Sequence, residues 1–218
     1  AYMKDVIGKL DALDPQSLSP EGRINLAIYR DQIEVRIAQI EFREYEKPLN
    51  ADTTFWTSVA SYGPKQFSNE TQARAWISRL NDVPRYFADE TANMRLGLAR
   101  GFTPPRVTLE GRAASISAVY DGKTPEQSSF YEPFLVLPAS IPAATRVELQ
   151  TEAKGAIADK VFPAYRTLLP FFRDEYYPKT TTELAATKLP DGQAYYAAQI
   201  REYTTLKLSP DEIHQIGL

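Results

Sequence analysis

Apolar residues recur every three or four positions along most of this chain, and that period constrains the fold more than any other feature. Between residues 24 and 44 one row consists of Leu26, Tyr29, Ile33, Ile37 and Ile40, and a second of Ile28, Val35 and Phe42. This spacing places the side chains on one face of an α-helix. Ser19 and Pro20 are a typical cap and first helical residue. We therefore expect an amphipathic helix with a broad buried face.

The same period predicts a second long helix from about residue 69 to residue 100. Asn69 and Gln72 have the spacing of a capping box at its start. Pro84 removes a backbone donor inside the helix, so we expect a kink or a split there. Gly101 is placed to end the helix in the left-handed conformation.

Two further helical segments follow. One is predicted over residues 107–120, and its apolar face consists of Leu109, Ala113, Ile116 and Tyr120. The other begins near Pro142, and Pro163 and Pro170 are expected to kink or break it. Its stripe consists of Leu149, Ala153, Ile157, Val161, Ala164, Leu168 and Phe172. Between them, residues 121–140 are loop-rich, and the apolar run 130–137 should pack against the body of the protein.

The last part of the chain contains a turn signal at residues 190–192, a predicted helix at 193–203 and a capping box formed by Ser209 and Glu212. No segment alternates apolar and polar residues over a sustained length, so few or no strands are expected. The sequence predicts an all-α fold of long, proline-kinked antiparallel helices with loop-rich connections. We expect residues 1–218 to form a single helical domain.

Composition excludes several kinds of catalytic site. The chain has no cysteine and one histidine, His214, so thiolate chemistry and the common zinc sites with two or three histidines lack their residues. The net charge of −3 gives no sign of a nucleic-acid partner. No apolar run reaches the length of about 20 residues that a membrane span needs. We predict no catalytic centre, no metal site and no cofactor within this chain.

The charged and aromatic clusters allow competing interpretations. Glu41, Glu44 and Glu46 lie near Arg43 and Lys47, and such clusters are usually solvated faces. Asp211, Glu212 and His214 could approach a metal ion, but an acidic first helical turn explains them better.

Two residues of the last predicted long helix are candidates for substrate binding. Tyr196 could contact a peptide, and Arg201 could bind a peptide carboxylate through two hydrogen bonds. Helix packing for Tyr196 and a surface ion pair for Arg201 are the structural alternatives.

Four stretches together resemble the bacterial domain of unknown function 885 family, from about residue 15 to residue 218. They are residues 97–107 (GLARGFTPPRV), residues 130–134 (FYEPF) with Leu137-Pro138, residues 161–166 (VFPAYR) with Leu168-Leu169, and the segment 189–214. The last is the most specific, since it combines LPDG, Tyr195-Tyr196, Arg201, Thr204-Thr205 and LSPDEIH.

The resemblance implies a longer bacterial protein, exported to the periplasm or lipid-anchored, whose C-terminal half is similar to helical zinc peptidases. A cytoplasmic location is the other possibility. This chain would then be the non-catalytic N-terminal region and form one wall of the parent's cleft. Its partners would be the C-terminal part, which would carry the zinc, and a peptide. The alternative function is an independent helical binding or interaction module. Exposed apolar surface could also support a dimer.

Overall fold

A computed structural model describes residues 1–218, and every regular element in it is helical. A single antiparallel bridge between Leu49 and Thr54 is the one β-type pairing. The all-α fold predicted from the apolar period is therefore confirmed. Backbone proximity divides the chain into a terminal unit, Ala1–Tyr45 with Glu183–Leu218, and a central unit, Glu46–Thr182. The prediction of one domain over residues 1–218 stays a prediction, because proximity does not test independent folding.

The helices are, in chain order, α1 (Tyr2–Asp11), α2 (Pro20–Glu41), α3 (Phe55–Ser61), α4 (Glu70–Arg100), α5 (Ala113–Ser117), α6 (Ala143–Ala156), α7 (Phe162–Pro170), α8 (Gly192–Thr204) and α9 (Pro210–Ile216). Short 3₁₀ turns occupy several of the connections. The terminal unit contains α1, α2, α8 and α9, and the central unit contains α3 to α7. None of these helices combines the length and the apolar character that crossing a bilayer demands.

Helix α2 begins as predicted but does not bury its apolar face. The Ser19 hydroxyl accepts a hydrogen bond from the Gly22 N–H, and Pro20 is the first helical residue. The predicted broad buried face is wrong, since no side chain of α2 is buried and Ile28, Tyr29 and Ile40 are 52%, 48% and 54% exposed. Within the terminal unit only α1 and α8 pack closely against α2, and these two helices leave much of its surface uncovered.

Helix α4 has the predicted cap and the predicted end. Asn69 Oδ1 accepts a hydrogen bond from the Gln72 N–H at 3.0 Å, while Gln72 Oε1 accepts from the Ser68 N–H at 2.8 Å, one residue before the cap. Of the two outcomes expected at Pro84, a kink or a split, the split does not occur, because the helix runs unbroken from Glu70 to Arg100. Gly101 follows with φ +76°, the expected left-handed C-cap.

The helix predicted over residues 107–120 is instead two short elements. A 3₁₀ turn spans Arg106–Leu109 and α5 spans Ala113–Ser117. Gly111 lies between them with φ +74°, a conformation that ends a right-handed helix. The single-helix prediction is therefore wrong, although Leu109 and Ile116 of its apolar face are both fully buried.

Prolines reshape the long segment from α6 to α7 without breaking it. A wide π-turn, Ile157–Val161, precedes Pro163, and a second, Phe171–Tyr176, follows Pro170. Proline cannot donate the usual helical hydrogen bond, and a π-turn accommodates the carbonyls that this leaves free. All seven residues of the predicted stripe are buried, so this face is confirmed.

The direction of α4 relative to the α6–α7 segment differs from the antiparallel expectation. Arg74, near the start of α4, lies 3.6 Å from Glu148 in α6. Arg95, near the end of α4, pairs with Glu175 in the second π-turn at 2.7 Å. The two long elements therefore run in the same direction, since residues 101–142 return the chain to the starting end. Helices α1 and α2 are antiparallel, because Lys4 pairs with Glu41 and Asp11 pairs with Arg30.

The core of the central unit is largely aromatic. Phe87 makes edge-to-face contacts with Phe55 and Tyr165 at 5.1 and 4.8 Å between ring centroids. The Tyr165 hydroxyl donates a hydrogen bond to the Trp56 carbonyl. The loop at residues 130–137 packs into this core through Phe130, Tyr131, Phe134 and Leu137, as its composition predicts, whereas Leu135 and Val136 are exposed.

One residue of the acidic cluster at residues 41–46 is buried, so the interpretation of that cluster as solvated is wrong for Glu46. Its side chain is 2% exposed and accepts a hydrogen bond from Arg100 Nε at 2.6 Å. The Arg100 guanidinium also lies 4.3 Å from the Phe102 ring centroid. Gly97 allows this arrangement, because a Cβ there would lie 2.4 Å from the Glu46 carbonyl oxygen.

Candidate functional site

The candidate site lies where α8 crosses α2 in the terminal unit. The turn before α8 depends on Asp191, whose φ of +54° reverses the chain, and the Gly192 N–H donates to the Leu189 carbonyl at 2.8 Å. Phe42 and Tyr195 then meet edge-to-face with 5.6 Å between centroids. This contact and the surrounding burial place one face of α8 against the second half of α2.

Arg201 is the centre of an ion-pair cluster on this face. Its Nη2 lies 2.9 Å from Asp31 Oδ1 and also donates to Glu34 Oε2. Arg30 Nε donates to the other oxygen of Glu34 at 2.9 Å. The hydrogen bond from Arg201, with that from Arg30, holds the pKa of the Glu34 carboxyl below its ordinary value. The same pairing raises the pKa of Arg201, chiefly through the hydrogen bond to Glu34.

Amide and carboxylate groups form a second cluster along the same helix crossing. Gln39 Nε2 donates to Glu202 Oε1 at 2.9 Å. Gln199 Nε2 donates to Glu44 Oε1 at 2.7 Å and to Glu202 Oε2 at 3.3 Å. Gln39 of α2 thus binds a carboxylate of α8, and Gln199 of α8 binds Glu44, which follows α2. These bonds fix the spacing of the two helices.

Two open cavities flank the crossing. The first, about 550 Å³, lies between α2, α8 and the start of α9, and its charged lining residues are Glu34, Glu44, Arg201, Glu202, Lys207 and Glu212. The second, about 760 Å³, is lined mostly by α2, including Ile28, Asp31 and Gln39. The first cavity carries four carboxylates and two cationic groups, so its surface is suited to a cationic or hydrogen-bonding partner rather than to a free anion.

The structure places the two predicted binding residues differently. Arg201 lines the first cavity, but two carboxylates of its own chain already occupy its guanidinium. Tyr196 is 38% exposed and lines neither cavity. Their roles in substrate binding stay predictions. His214 is exposed on α9, and no group of three or more His, Asp or Glu side chains is arranged to hold a metal ion.

Sequence reasoning missed the partners that give this site its geometry. Asp31 and Glu34 are three positions apart on α2, a spacing that puts two carboxylates on one helix face. Gln39 and Gln199 carried no chemical signal, because amides are common on solvated helix surfaces. The i,i+3 pair of carboxylates was the one available indication that a cation from another helix would bind there.

Comparison with known proteins supplies a family and a fold. The sequence matches the family described as "Bacterial protein of unknown function (DUF885)" over residues 1–218. A solved structure described as "the putative lipoprotein from Colwellia psychrerythraea" shares 23% identity with this chain at a TM-score of 0.62. The similarity covers 74% of this chain and 27% of that one, so the chain spans little more than a quarter of its length.

No curated protein matches the sequence. The likeness to the solved structure, at that identity, shows a shared fold. The family match extends over the whole chain and includes the four sequence stretches described above. This protein therefore belongs to the family described as bacterial protein of unknown function, DUF885.

Proposed function

We propose that this chain is the non-catalytic helical region of a longer family protein and forms one wall of its cleft. The observation that carries this proposal is the exposure of apolar side chains on α2. Ile24, Ile28, Tyr29 and Ile40 are all about half exposed or more, and Ile28 lines the second cavity of the terminal unit. Ile24 and Ile28 are neighbours on one helix face, and adjoining exposed apolar side chains can mark a surface that another segment or partner covers.

The length of the related structure supports a covering partner within the same polypeptide. The chain corresponds to 27% of the Colwellia psychrerythraea protein, so that fold has far more chain than the matched part. The resemblance to the family implies a C-terminal half similar to zinc peptidases. In this proposal that half docks on α2 and carries the zinc.

The chemistry of the α2–α8 crossing suits a supporting wall. Arg201, Glu34 and Gln39 are each engaged in hydrogen bonds that join the two helices. Such bonds position a surface and leave its charged groups already compensated. Tyr196 and the part of the Arg201 guanidinium that does not bind Asp31 or Glu34 are then the proposed points of contact with a peptide or with the rest of the parent protein. By analogy with the lipoprotein description of the related structure, we propose an exported, lipid-anchored parent.

The proposal is tested by comparing the longer natural protein with the chain 1–218. We expect zinc and peptide hydrolysis in the longer protein and neither in the chain 1–218. Hydrolysis by the chain 1–218 alone would contradict the non-catalytic assignment.

Whether α2 is covered by another part of the longer protein can be tested without an activity assay. Hydrogen exchange should show α2 more protected in the longer protein than in the chain 1–218. Ile28→Glu should remove that extra protection, because a carboxylate cannot be buried there without cost. Val136→Glu, at a similarly exposed apolar residue of the central unit, is the matched control and should leave it unchanged. Equal protection of α2 in both proteins would instead favour an independent binding module.

A further inference from the structure

A separate aromatic cavity of about 300 Å³ lies in the central unit, alongside α4. Its apolar lining consists of Val59 and Tyr62 from the α3 region, Trp76, Leu80, Val83 and Tyr86 from α4, and Phe130 from the long loop. The volume is at the lower end of the range for small-molecule sites, and such sites are mainly apolar with a few polar groups. None of these residues belongs to the α2–α8 site.

The floor of this aromatic cavity is fixed by the core. Trp76, Leu80, Val83 and Phe130 are buried. The Trp76 indole N–H donates to the Phe130 carbonyl at 3.1 Å, and their rings are nearly parallel with 6.4 Å between centroids. The floor is therefore built from side chains whose positions the fold already determines, so little reordering opposes binding.

The rim of the cavity adds two tyrosines. Gly63 lies against the Trp76 indole, where a Cβ would come within 2.8 Å of Cζ2, and the preceding residue, Tyr62, lines the cavity with its side chain mostly exposed. Tyr86 of α4 is half-buried, and burial together with the nearby Glu90 carboxyl raises its pKa to about 12. Planar rings thus border the opening as well as the floor.

One positive charge at the mouth has no partner. Arg79, Asp82 and Arg85 are the charged lining residues. Arg85 donates to Asp82 at 2.8 Å and to Asp89 at 2.9 Å, so its charge is compensated. Arg79, two helical turns before Tyr86, is exposed and forms no ion pair or hydrogen bond with any other side chain. An uncompensated guanidinium beside an apolar cavity is a site for a carboxylate, which it can bind through two parallel hydrogen bonds.

We propose that this aromatic cavity binds a small carboxylate carrying an aromatic or branched apolar group. The carboxylate pairs with Arg79, and the apolar group packs among Val59, Tyr62 and Tyr86 above the Trp76 ring. Stacking on tyrosine and tryptophan favours a planar group. The proposal is independent of the wall function, because it uses residues of the central unit alone.

The test uses 3-phenylpropionate and its neutral isostere 3-phenylpropanamide as probes. Binding is followed by NMR through the Trp76 indole N–H signal. Trp56, whose indole N–H donates to Ser115 in the core, is the internal control because it lies outside the cavity. We expect the Trp76 signal to shift, the Trp56 signal to stay unchanged, and the carboxylate to bind about tenfold more tightly than the amide.

Two charge variants make the outcome specific. Arg79→Gln should abolish the preference for the carboxylate while leaving weak binding of both probes. Arg74→Gln, which removes an arginine of α4 that pairs with Glu70 outside the cavity, should retain the preference. Equal affinity for both probes in the unaltered protein, an unchanged preference in Arg79→Gln, or no shift of Trp76 at millimolar probe would each overturn the proposal.

Discussion

The central and terminal units are both helical, yet different interactions stabilise them. The central unit buries a continuous cluster in which a chain of ring contacts runs from Phe172 through Trp56, Phe55 and Phe87 to Tyr165. In the terminal unit Tyr195 and Ile200 are the buried apolar side chains. Its helices are connected instead by ion pairs and amide–carboxylate hydrogen bonds.

This difference indicates where each unit obtains its stability. Burial of apolar area contributes about 25 cal/mol per Å² and depends little on salt, so the central unit should be stable by its own core. Partly exposed ion pairs contribute about 0–1 kcal/mol each and are screened by salt. The terminal unit is therefore expected to open more readily, and to gain stability from whatever covers α2.

The largest expected effect contrasts one leucine from each unit. Leu149 is fully buried in α6, so Leu149→Ala should lower the free energy of unfolding by about 2–5 kcal/mol. Leu26 on α2 is half-buried, so Leu26→Ala should cost about 1 kcal/mol or less. Urea unfolding followed by circular dichroism measures both. Equal losses would remove the distinction between the two units.

Replacing a glycine by alanine should lower stability at one position and raise it at another. Gly97→Ala places a Cβ against the Glu46 carbonyl and should destabilise the central unit by about 1–3 kcal/mol. Gly8→Ala in α1 meets no atom within 4 Å and should stabilise its helix by up to about 1 kcal/mol. Thermal unfolding with hydrogen exchange for each unit resolves the two effects. A stabilising Gly97→Ala would show that the helix does not need this close approach.

The α6–α7 segment and α2 show what could be predicted from the sequence and what could not. The α6–α7 stripe was predicted in full because each of its apolar positions meets the core of the central unit. The apolar face of α2 was predicted buried and is not, because its two rows, which begin at Leu26 and Ile28, lie about 160° apart around the helix, and no single packing surface can cover both. Glu46 was missed for a related reason, since its partner Arg100 is 54 residues away. Arg201 could be chosen from its residue type alone. Its partners Asp31 and Glu34 could be identified only from the structure, which places α8 against α2.

A smaller effect is expected from removing the cation of the α2–α8 crossing. Arg201→Gln leaves Asp31 and Glu34 without their shared partner and should destabilise the terminal unit by about 1 kcal/mol, with allowance for solvent screening. Raising the salt to about 1 M should reduce the difference between the two proteins. Arg173→Gln, which removes an exposed pair with Asp174 in the central unit, is the matched control and should change stability less.

The smallest expected effect is a pH dependence caused by Glu34. Its pKa is lowered in the folded protein, so the unfolded state binds more protons as the pH falls. The contribution of Glu34 is thus present above the ordinary carboxyl pKa of 4.5 and is lost as the pH falls through the lower folded value. The stability difference between the unaltered protein and Arg201→Gln should shrink on going from about pH 7 to about pH 3. A difference that grows on acidification would contradict this sign.

Native-state hydrogen exchange with mass spectrometry tests the contrast between the two units most directly. Amides of α2 and α8 should exchange through openings at least about 2 kcal/mol lower in free energy than those that expose α4 and α6. Salt should lower the protection of α2 and α8 and leave that of α4 and α6 nearly unchanged. One common opening free energy for all four helices, insensitive to salt, would show that the polar crossing and the aromatic core stabilise the chain equally.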